Sequence, residues 1–113
     1  MLSLITAVVK PHVVEDVKAA LQTAGASGMT ITEVSGFGRQ KGHTETYRGA
    51  EYEVSFIPKV RIDVVVEAER ADELAHVIME AARTNTIGDG KIWITDVGRL
   101  YRVRTGDTGT EAL

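Results

Sequence analysis

A long polar stretch, Gly36–Tyr52, lies near the middle of the chain and separates two segments that are both rich in apolar residues. It holds four glycines, together with tyrosines, charged side chains and a glutamine. Connections within compact domains usually span about 2–6 residues, so a loop several times longer is either disordered or functional. Because binding residues are concentrated on loops held by a rigid scaffold, we expect function to reside here.

The half of the chain before this stretch reads as strand, helix and strand. Leu2–Val9 is rich in Leu, Ile and Val, which predicts a buried strand that ends at Lys10-Pro11. Val13–Ala24 places its apolar residues on one helical face and is followed by a glycine, which is typical of a helix end. Met29–Phe37 alternates and predicts a second strand.

The half after the stretch repeats this order. Glu53–Val66 predicts a strand, with Pro58 near its start because proline lacks an amide donor. Leu74–Ala82 follows the apolar spacing of an amphipathic helix. Lys91–Thr95 predicts a further strand, and Leu100–Val103 a short last one.

Two successive strand-helix-strand halves predict an α+β fold, the ferredoxin-like double βαβ sandwich. Its antiparallel sheet carries two helices on one face and, in this chain, a long loop between the halves. The other face is expected to hold Arg61, Asp63 and Val65 of the third strand, while the first strand is apolar on both sides. This mixed polarity predicts a homo-oligomer whose subunits pack sheet to sheet.

Composition sets further bounds. The 113 residues fit a single domain, 1–113. A net charge of -3 argues against nucleic-acid binding through overall basic charge. With no cysteine, a disulfide scaffold and a thiolate metal site are excluded. The N-terminus lacks the signal-peptide pattern and no apolar run reaches the ~20 residues of a membrane span, so we expect a cytoplasmic protein.

Arg102 and Arg104 form the first candidate binding feature. In an extended segment they would share a face, with Val103 turned to the core. Two guanidinium groups side by side suit a phosphate or a carboxylate. The alternative is a solvated edge strand whose charges discourage aggregation.

The second candidate feature is Gly88-Asp89-Gly90-Lys91. Its glycines let backbone N–H groups approach an anion, and the lysine adds a positive charge. It lacks the spacing of a Walker A loop, and a plain turn explains the pattern about as well. The three histidines show no metal-binding spacing and no nucleophile–base arrangement occurs. The sequence therefore predicts a protein that is not an enzyme, and leaves only weak ATP hydrolysis open.

Taken together and in order, four segments closely resemble the PII nitrogen-regulatory signal proteins along essentially the whole chain. They are Gly36–Glu45, Tyr47–Tyr52, Ile87–Lys91 and Arg102–Gly106. In the nomenclature of that family, the resemblance implies a T-loop at about 37–55, a B-loop at about 83–91 and a C-loop at about 102–113.

The resemblance implies a homotrimer with three clefts between subunits, in which ATP and ADP compete. Arg39, Lys91, Arg102 and Arg104 would neutralise the phosphates, and Thr30 and Val65 would line the adenine pocket. The full set of implied nucleotide-binding residues is Thr30, Gly36, Phe37, Gly38, Arg39, Gln40, Val65, Gly88, Asp89, Gly90, Lys91, Arg102 and Arg104.

The resemblance further implies that Gln40 binds Mg²⁺, a hard cation that prefers oxygen ligands. 2-Oxoglutarate would chelate the same ion and pair its distal carboxylate with Lys59. The implied 2-oxoglutarate residues are Gln40, Lys41, Gly42, Lys59 and Gly88. Mg-ATP and 2-oxoglutarate would then bind cooperatively and shift the loop between conformations.

In this family the T-loop contacts partners, so the resemblance implies a regulator of nitrogen assimilation that reports the ATP/ADP ratio and 2-oxoglutarate. The implied partners are an ammonium transporter, a nucleotidyltransferase, a kinase or metabolic enzymes, with membrane contact only through a transporter. Tyr52 corresponds to the tyrosine that many relatives carry as a nucleotidylylation site.

Four positions depart from the family pattern. Asn85-Thr86 stands where many relatives have Gly-Lys, His12 replaces a frequent phenylalanine, and Ala50 excludes the serine phosphorylation of some relatives. An RNA-recognition module shares the order of elements and is the alternative function, but it needs stacking aromatics on its sheet. Aromatic residues make up 5% of this chain.

Overall fold

The computed structural model describes residues 1–38 and 55–113, together with the backbone of two short strands at 46–47 and 50–51. The strands are β1 (Leu2–Val9), β2 (Thr30–Gly36), β3 (Thr46–Tyr47), β4 (Ala50–Glu51), β5 (Ile57–Glu67) and β6 (Gly90–Val97). The helices are α1 (Val14–Thr23) and α2 (Ala71–Ala82), with 3-10 turns at Pro11–Val13, Ala68–Arg70 and Gly109–Ala112.

Four strands form one antiparallel sheet in the order β2-β5-β1-β6. Each helix connects two strands that are not neighbours in the sheet, which is the ferredoxin-like arrangement. β3 and β4 pair separately as a two-stranded ribbon. The predicted fold class is therefore confirmed, and β1 has the predicted bounds.

The core lies between the sheet and the two helices. β1 contributes Ile5, Ala7 and Val9, which are at most 1% exposed, because alternate residues of a strand point to one face. The helices supply the opposing apolar side chains at helical spacing, among them Val17 and Ile78, both fully buried. The remaining core residues are Val13, Leu21, Val60, Ile62, Val64, Val66, Ala71, Leu74, Ala75 and Ala82.

The other sheet face, which we call the open face, faces away from the helices and carries mixed polarity as predicted. Asp63 of β5 accepts a hydrogen bond from Thr6 of β1 (2.8 Å) and is paired with Arg61 through Nε (2.9 Å). Thr6 is 1% exposed although it lies on this face. Trp93 of β6, opposite Thr6 in the register, is 43% exposed and places a large apolar surface there.

Pro58 lies near the start of β5, as its missing amide requires. It pairs with Ser35 of the edge strand β2, whereas pairing of β5 with β1 begins two residues later at Val60. The strand itself begins at Ile57, later than the predicted Glu53.

The predicted last strand, Leu100–Val103, is wrong. Tyr101 forms an isolated bridge with Thr108, and the backbone between them turns, with the Gly106 amide donating to the Arg102 carbonyl at 2.8 Å. Gly106 has φ +74°, which favours glycine and allows the turn. Val103 consequently points to solvent and is fully exposed, so its predicted place in the core is also wrong.

Candidate functional site

A pocket of about 450 Å³, which we call the first pocket, opens at one end of the sheet. Six of the predicted nucleotide-binding residues and the predicted carboxylate-binding lysine line it. Its lining consists of Val8, Gly36, Phe37, Gly38, Lys59, Ile87, Gly88, Gly90, Lys91 and Trp93.

Strand register explains why residues distant in sequence meet at this pocket. Val34 of β2 lies opposite Lys59 of β5, and Val8 of β1 lies opposite Lys91 of β6. Directly paired residues of an antiparallel sheet point to the same face. The two lysines therefore project from the open face at the end of the sheet where β2 leads into residues 37–38.

Residues 84–90, which we call the glycine loop, form the rim of the first pocket between α2 and β6. Asn85, Gly88 and Gly90 all have positive φ, at 65°, 94° and 111°. Gly90 is also packed against β1: a Cβ at this position would lie 1.8 Å from the carbonyl oxygen of Val8. Glycine at position 90 is therefore required both by the backbone conformation and by the close approach of the neighbouring strand.

Asp89 binds the beginning of the glycine loop. Its carboxylate accepts hydrogen bonds from the backbone amides of Thr84 (2.7 Å) and Asn85 (2.9 Å), and from the Thr84 hydroxyl. The Thr84 hydroxyl, the Thr84 and Asn85 amides and the Lys10 ammonium together hold the pKa of Asp89 far below its ordinary value, against the opposing effect of desolvation. The Asp89 side chain therefore organises the loop, of which Ile87, Gly88 and Gly90 line the first pocket.

Lys59 reaches the glycine loop from the other side. Its ammonium donates to the Gly88 carbonyl oxygen at 2.5 Å. Partial burial lowers the pKa of Lys59, the nearby Lys10 ammonium lowers it further, and Asp89 raises it. A carboxylate that entered the first pocket would provide Lys59 with a negatively charged partner.

Two residues that the sequence reasoning did not select contribute to this region. Lys10 donates to the hydroxyls of Thr84 (3.3 Å) and Thr86 and is paired with Asp89 at 3.2 Å. Trp93 lines the first pocket. The one sequence feature that could have pointed to Lys10 is its position directly after β1. Its contacts could not be predicted from that position, because they involve residues at least 74 positions later.

A second pocket, of about 370 Å³, lies at the opposite end of the open face and contains the predicted adenine-pocket residues Thr30 and Val65. Thr30 begins β2 and Gly36 ends it, so at about 3.4 Å per residue the two pockets lie about 20 Å apart. The lining consists of Leu4, Ser27, Gly28, Met29, Thr30, Asp63, Val65, Leu100, Ala112 and Leu113. One chain therefore does not bring all the predicted nucleotide residues together.

Arg102 and Arg104 do not form the predicted pair of parallel guanidinium groups. Arg102 Nη1 donates to Asp107 (3.2 Å), and its Nη2 donates to the carbonyl oxygens of Glu111 (3.0 Å) and Leu113 (2.7 Å). Arg104 is exposed. The backbone turns between residues 102 and 106, so the strand on which the predicted parallel arrangement depended is not formed.

Several predicted residues lie outside the described residues. They are Arg39, Gln40, Lys41, Gly42 and Tyr52. On either side of residues 39–54, Phe37 and Phe56 make an edge-to-face contact with ring centroids 5.8 Å apart. Phe37 lines the first pocket. The aromatic contact therefore lies beside that pocket, and the sequence between its two members includes Gln40, Lys41, Gly42 and Tyr52.

Among the described residues, no cluster of three or more His, Asp or Glu side chains is arranged to hold a metal ion. No helix in that part of the chain has the length and apolar character needed to cross a membrane. The chemistry that the first pocket offers is anion binding, because two lysines and four glycines surround an open cavity.

Comparison with known proteins assigns this geometry to a family. The sequence model of the family described as "Nitrogen regulatory protein P-II" matches residues 2–107. The chain belongs to the P-II family. The chain is 53% identical to "Nitrogen regulatory protein P-II" of Pasteurella multocida over 109 residues, which covers 96% of this chain and 97% of that protein. It is 50% identical to "Nitrogen regulatory protein GlnK" of Escherichia coli K12, over 99% of this chain and all of that protein.

A solved structure extends the comparison to three dimensions. The crystal structure of Arabidopsis thaliana PII bound to citrate superposes with a TM-score of 0.83 at 34% identity. The match covers 99% of this chain and 92% of that one. The predicted family is thus confirmed, and P-II proteins are by name nitrogen regulatory proteins.

Proposed function

We propose that this P-II protein senses the ATP/ADP ratio and 2-oxoglutarate, and that it regulates nitrogen assimilation through a T-loop at about 37–55. The observation that carries the proposal is the first pocket. Within one cavity it brings together the glycines at the end of β2, the glycine loop, Lys59 and Lys91. Polyphosphate needs several positive groups and closely approaching amides, and this set provides both.

The two pockets support a nucleotide site that is shared between subunits. The proposed phosphate-binding residues of the first pocket lie at one end of the open face, whereas Thr30 and Val65 lie about 20 Å away at the other. A homotrimer that packs sheet to sheet would place the second pocket of one subunit against the first pocket of its neighbour. In that arrangement Arg39, Arg102 and Arg104 complete the phosphate site around the B-loop (83–91), with Arg102 and Arg104 supplied by the C-loop (102–113).

Carboxylate binding at the same site is supported by Lys59, which lines the first pocket with a carbonyl oxygen as its present partner. The Arabidopsis relative is bound to citrate, which is a carboxylate anion. We infer that 2-oxoglutarate binds Lys59 through one carboxylate, with Lys41, Gly42 and Gly88 around it. Gln40 offers an amide oxygen to a Mg²⁺ ion shared by ATP and 2-oxoglutarate, an ion that would couple the two ligands.

The signal then leaves through the T-loop. Ligands that prefer one conformation of its base, next to Phe37 and Gly38, shift its population by their difference in affinity. The proposed partners are an ammonium transporter, a nucleotidyltransferase or metabolic enzymes, and Tyr52 is the proposed modification site.

Calorimetry on the purified protein tests the proposal. We expect ATP and ADP to compete for one site per subunit. We expect 2-oxoglutarate to bind in the presence of Mg²⁺ and ATP, but not with ADP or after chelation of the metal. Equal 2-oxoglutarate binding under all three conditions would refute the coupling, and light scattering at the mass of a monomer would refute the shared site.

A further inference from the structure

Lys10 occupies an unusual position for a lysine on the surface of a small domain. It follows the last residue of β1, and its ammonium lies among three oxygen atoms of the glycine loop. These belong to Thr84, Thr86 and Asp89, at distances of 3.3 Å for Thr84 and 3.2 Å for Asp89. The lysine side chain is 22% exposed and that of Asp89 is 24% exposed, so most of this contact is shielded from solvent.

The glycine loop needs such an anchor because of its backbone. Three of its seven positions have positive φ. Its first residues are held by Asp89, which gathers two backbone amides and a hydroxyl around one carboxylate. A carboxylate with this many donors is well placed only if its own position is fixed, and Lys10 fixes it from the sheet.

The lysine acts on the first pocket indirectly. Lys59 and Lys91 line the pocket, whereas Lys10 does not. On the far side of the loop, Lys59 donates to the Gly88 carbonyl. The glycine loop is therefore held by two ammonium groups, Lys10 at Asp89 and Lys59 at the adjacent Gly88, while Ile87, Gly88 and Gly90 line the first pocket.

We propose that Lys10 is a positioning residue for the phosphate-binding pocket, because it holds the glycine loop through Thr86 and Asp89 in the conformation that presents Gly88 and Gly90 to an anion. This inference rests on the proposed nucleotide function. It adds a residue that does not touch the nucleotide and whose contribution is made through the loop.

The single tryptophan of the chain provides the measurement, because Trp93 lines the first pocket. ATP is titrated into the protein and its Lys10→Met, Lys10→Arg and Lys18→Met variants while tryptophan fluorescence is recorded. Lys18 is the matched control, since its ammonium lies 3.9 Å from Glu15 on the surface of α1. We expect Lys10→Met to bind ATP about tenfold more weakly, Lys10→Arg to recover most of the loss, and Lys18→Met to match the unchanged protein.

Amide hydrogen exchange on the ligand-free protein gives a second measurement, which distinguishes local loosening of the glycine loop from a loss of global stability. Lys10→Met is expected to accelerate exchange at the amides of Thr84 and Asn85, while amides in the middle of α2 remain as protected as before. Faster exchange throughout α2 would show a general loss of stability and would overturn the positioning role.

Three other outcomes decide the inference. If Lys10→Met binds ATP as tightly as the protein without substitutions, the positioning role of Lys10 is overturned and the proposed function stands. If the protein without substitutions binds no ATP, the proposed function is overturned as well. If Lys10→Met does not fold, Thr86→Val keeps the lysine and removes one acceptor. A loss of about threefold in that variant supports the inference, and unchanged affinity contradicts it.

Discussion

Basic side chains lie beside both the glycine loop (84–90) and the C-terminal segment (99–113), but their hydrogen-bond partners differ. At the glycine loop, Lys59 lines the first pocket, and among the described residues its ammonium donates to one carbonyl oxygen. In the C-terminal segment, Arg102 donates to a carboxylate and two carbonyl oxygens of its own segment. To bind a phosphate as proposed, Arg102 would therefore have to exchange acceptors of its own segment, whereas Lys59 already lies in the lining of the first pocket.

The largest expected effect tests how tightly the glycine loop is built into the sheet. Gly90→Ala places a methyl group 1.8 Å from the Val8 carbonyl oxygen at φ +111°. We expect a loss of at least about 3 kcal/mol in the free energy of unfolding, measured by urea denaturation. Gly98→Ala is the matched control, because a Cβ there meets nothing within 4 Å. Equal stability of the two variants would show that β6 does not approach β1 as described.

The next effect concerns Asp89, the carboxylate that organises the glycine loop. Asp89→Asn removes charge from its hydrogen bonds with Thr84 and Asn85 and is expected to cost about 2 kcal/mol at pH 7. Because folding depresses the pKa of Asp89, its stabilisation is complete above the unfolded carboxyl pKa of 3.8 and is lost as the pH falls below it.

Denaturation of both proteins between pH 7 and pH 2.5 checks this prediction. The difference in unfolding free energy between the unchanged protein and Asp89→Asn should be constant down to about pH 4 and should shrink below it. A difference that stayed the same throughout would show that the carboxylate is not held in its charged form by the loop.

The smallest expected effect on stability concerns the two arginines of the C-terminal segment, Arg102 and Arg104. Arg102→Ala removes a guanidinium that holds three acceptors, so we expect it to lower the unfolding free energy by about 1 kcal/mol. Arg104→Ala removes an exposed side chain and should change it by less than about 0.5 kcal/mol. Thermal unfolding of the two variants side by side measures the difference, and a larger loss in Arg104→Ala would reverse the assignment of the two arginines.

Local patterns of apolar residues in the sequence predicted most of the fold. Alternation placed Val60, Ile62 and Val64 in the core, and helical spacing did the same for Leu74 and Ile78, because both patterns follow directly from backbone geometry. The family resemblance selected seven of the ten residues that line the first pocket, and strand register explains why they meet.

The errors arose where distant contacts override local preference. Leu100–Val103 has the composition of a strand, yet the turn at Gly106 and the contacts of Arg102 with Glu111 and Leu113 decide its conformation. The sequence placed Lys10 only at the end of β1. Its role could not be predicted, because the oxygen atoms that accept its hydrogen bonds lie 74 or more positions later. No short-range pattern in the sequence encodes the contacts of Lys10, whereas Gly106 is a local turn signal that the strand prediction did not use.

The central claim is that the first pocket of one subunit and the second pocket of another form one nucleotide site. Lys91→Glu impairs the first pocket and Thr30→Trp fills the second, so each variant alone should bind no ATP by calorimetry. If the variants are unfolded together and refolded as mixed trimers, about a quarter of the sites should combine two intact pockets and bind ATP again. Absence of any recovered binding in trimers shown to be mixed would contradict the shared site.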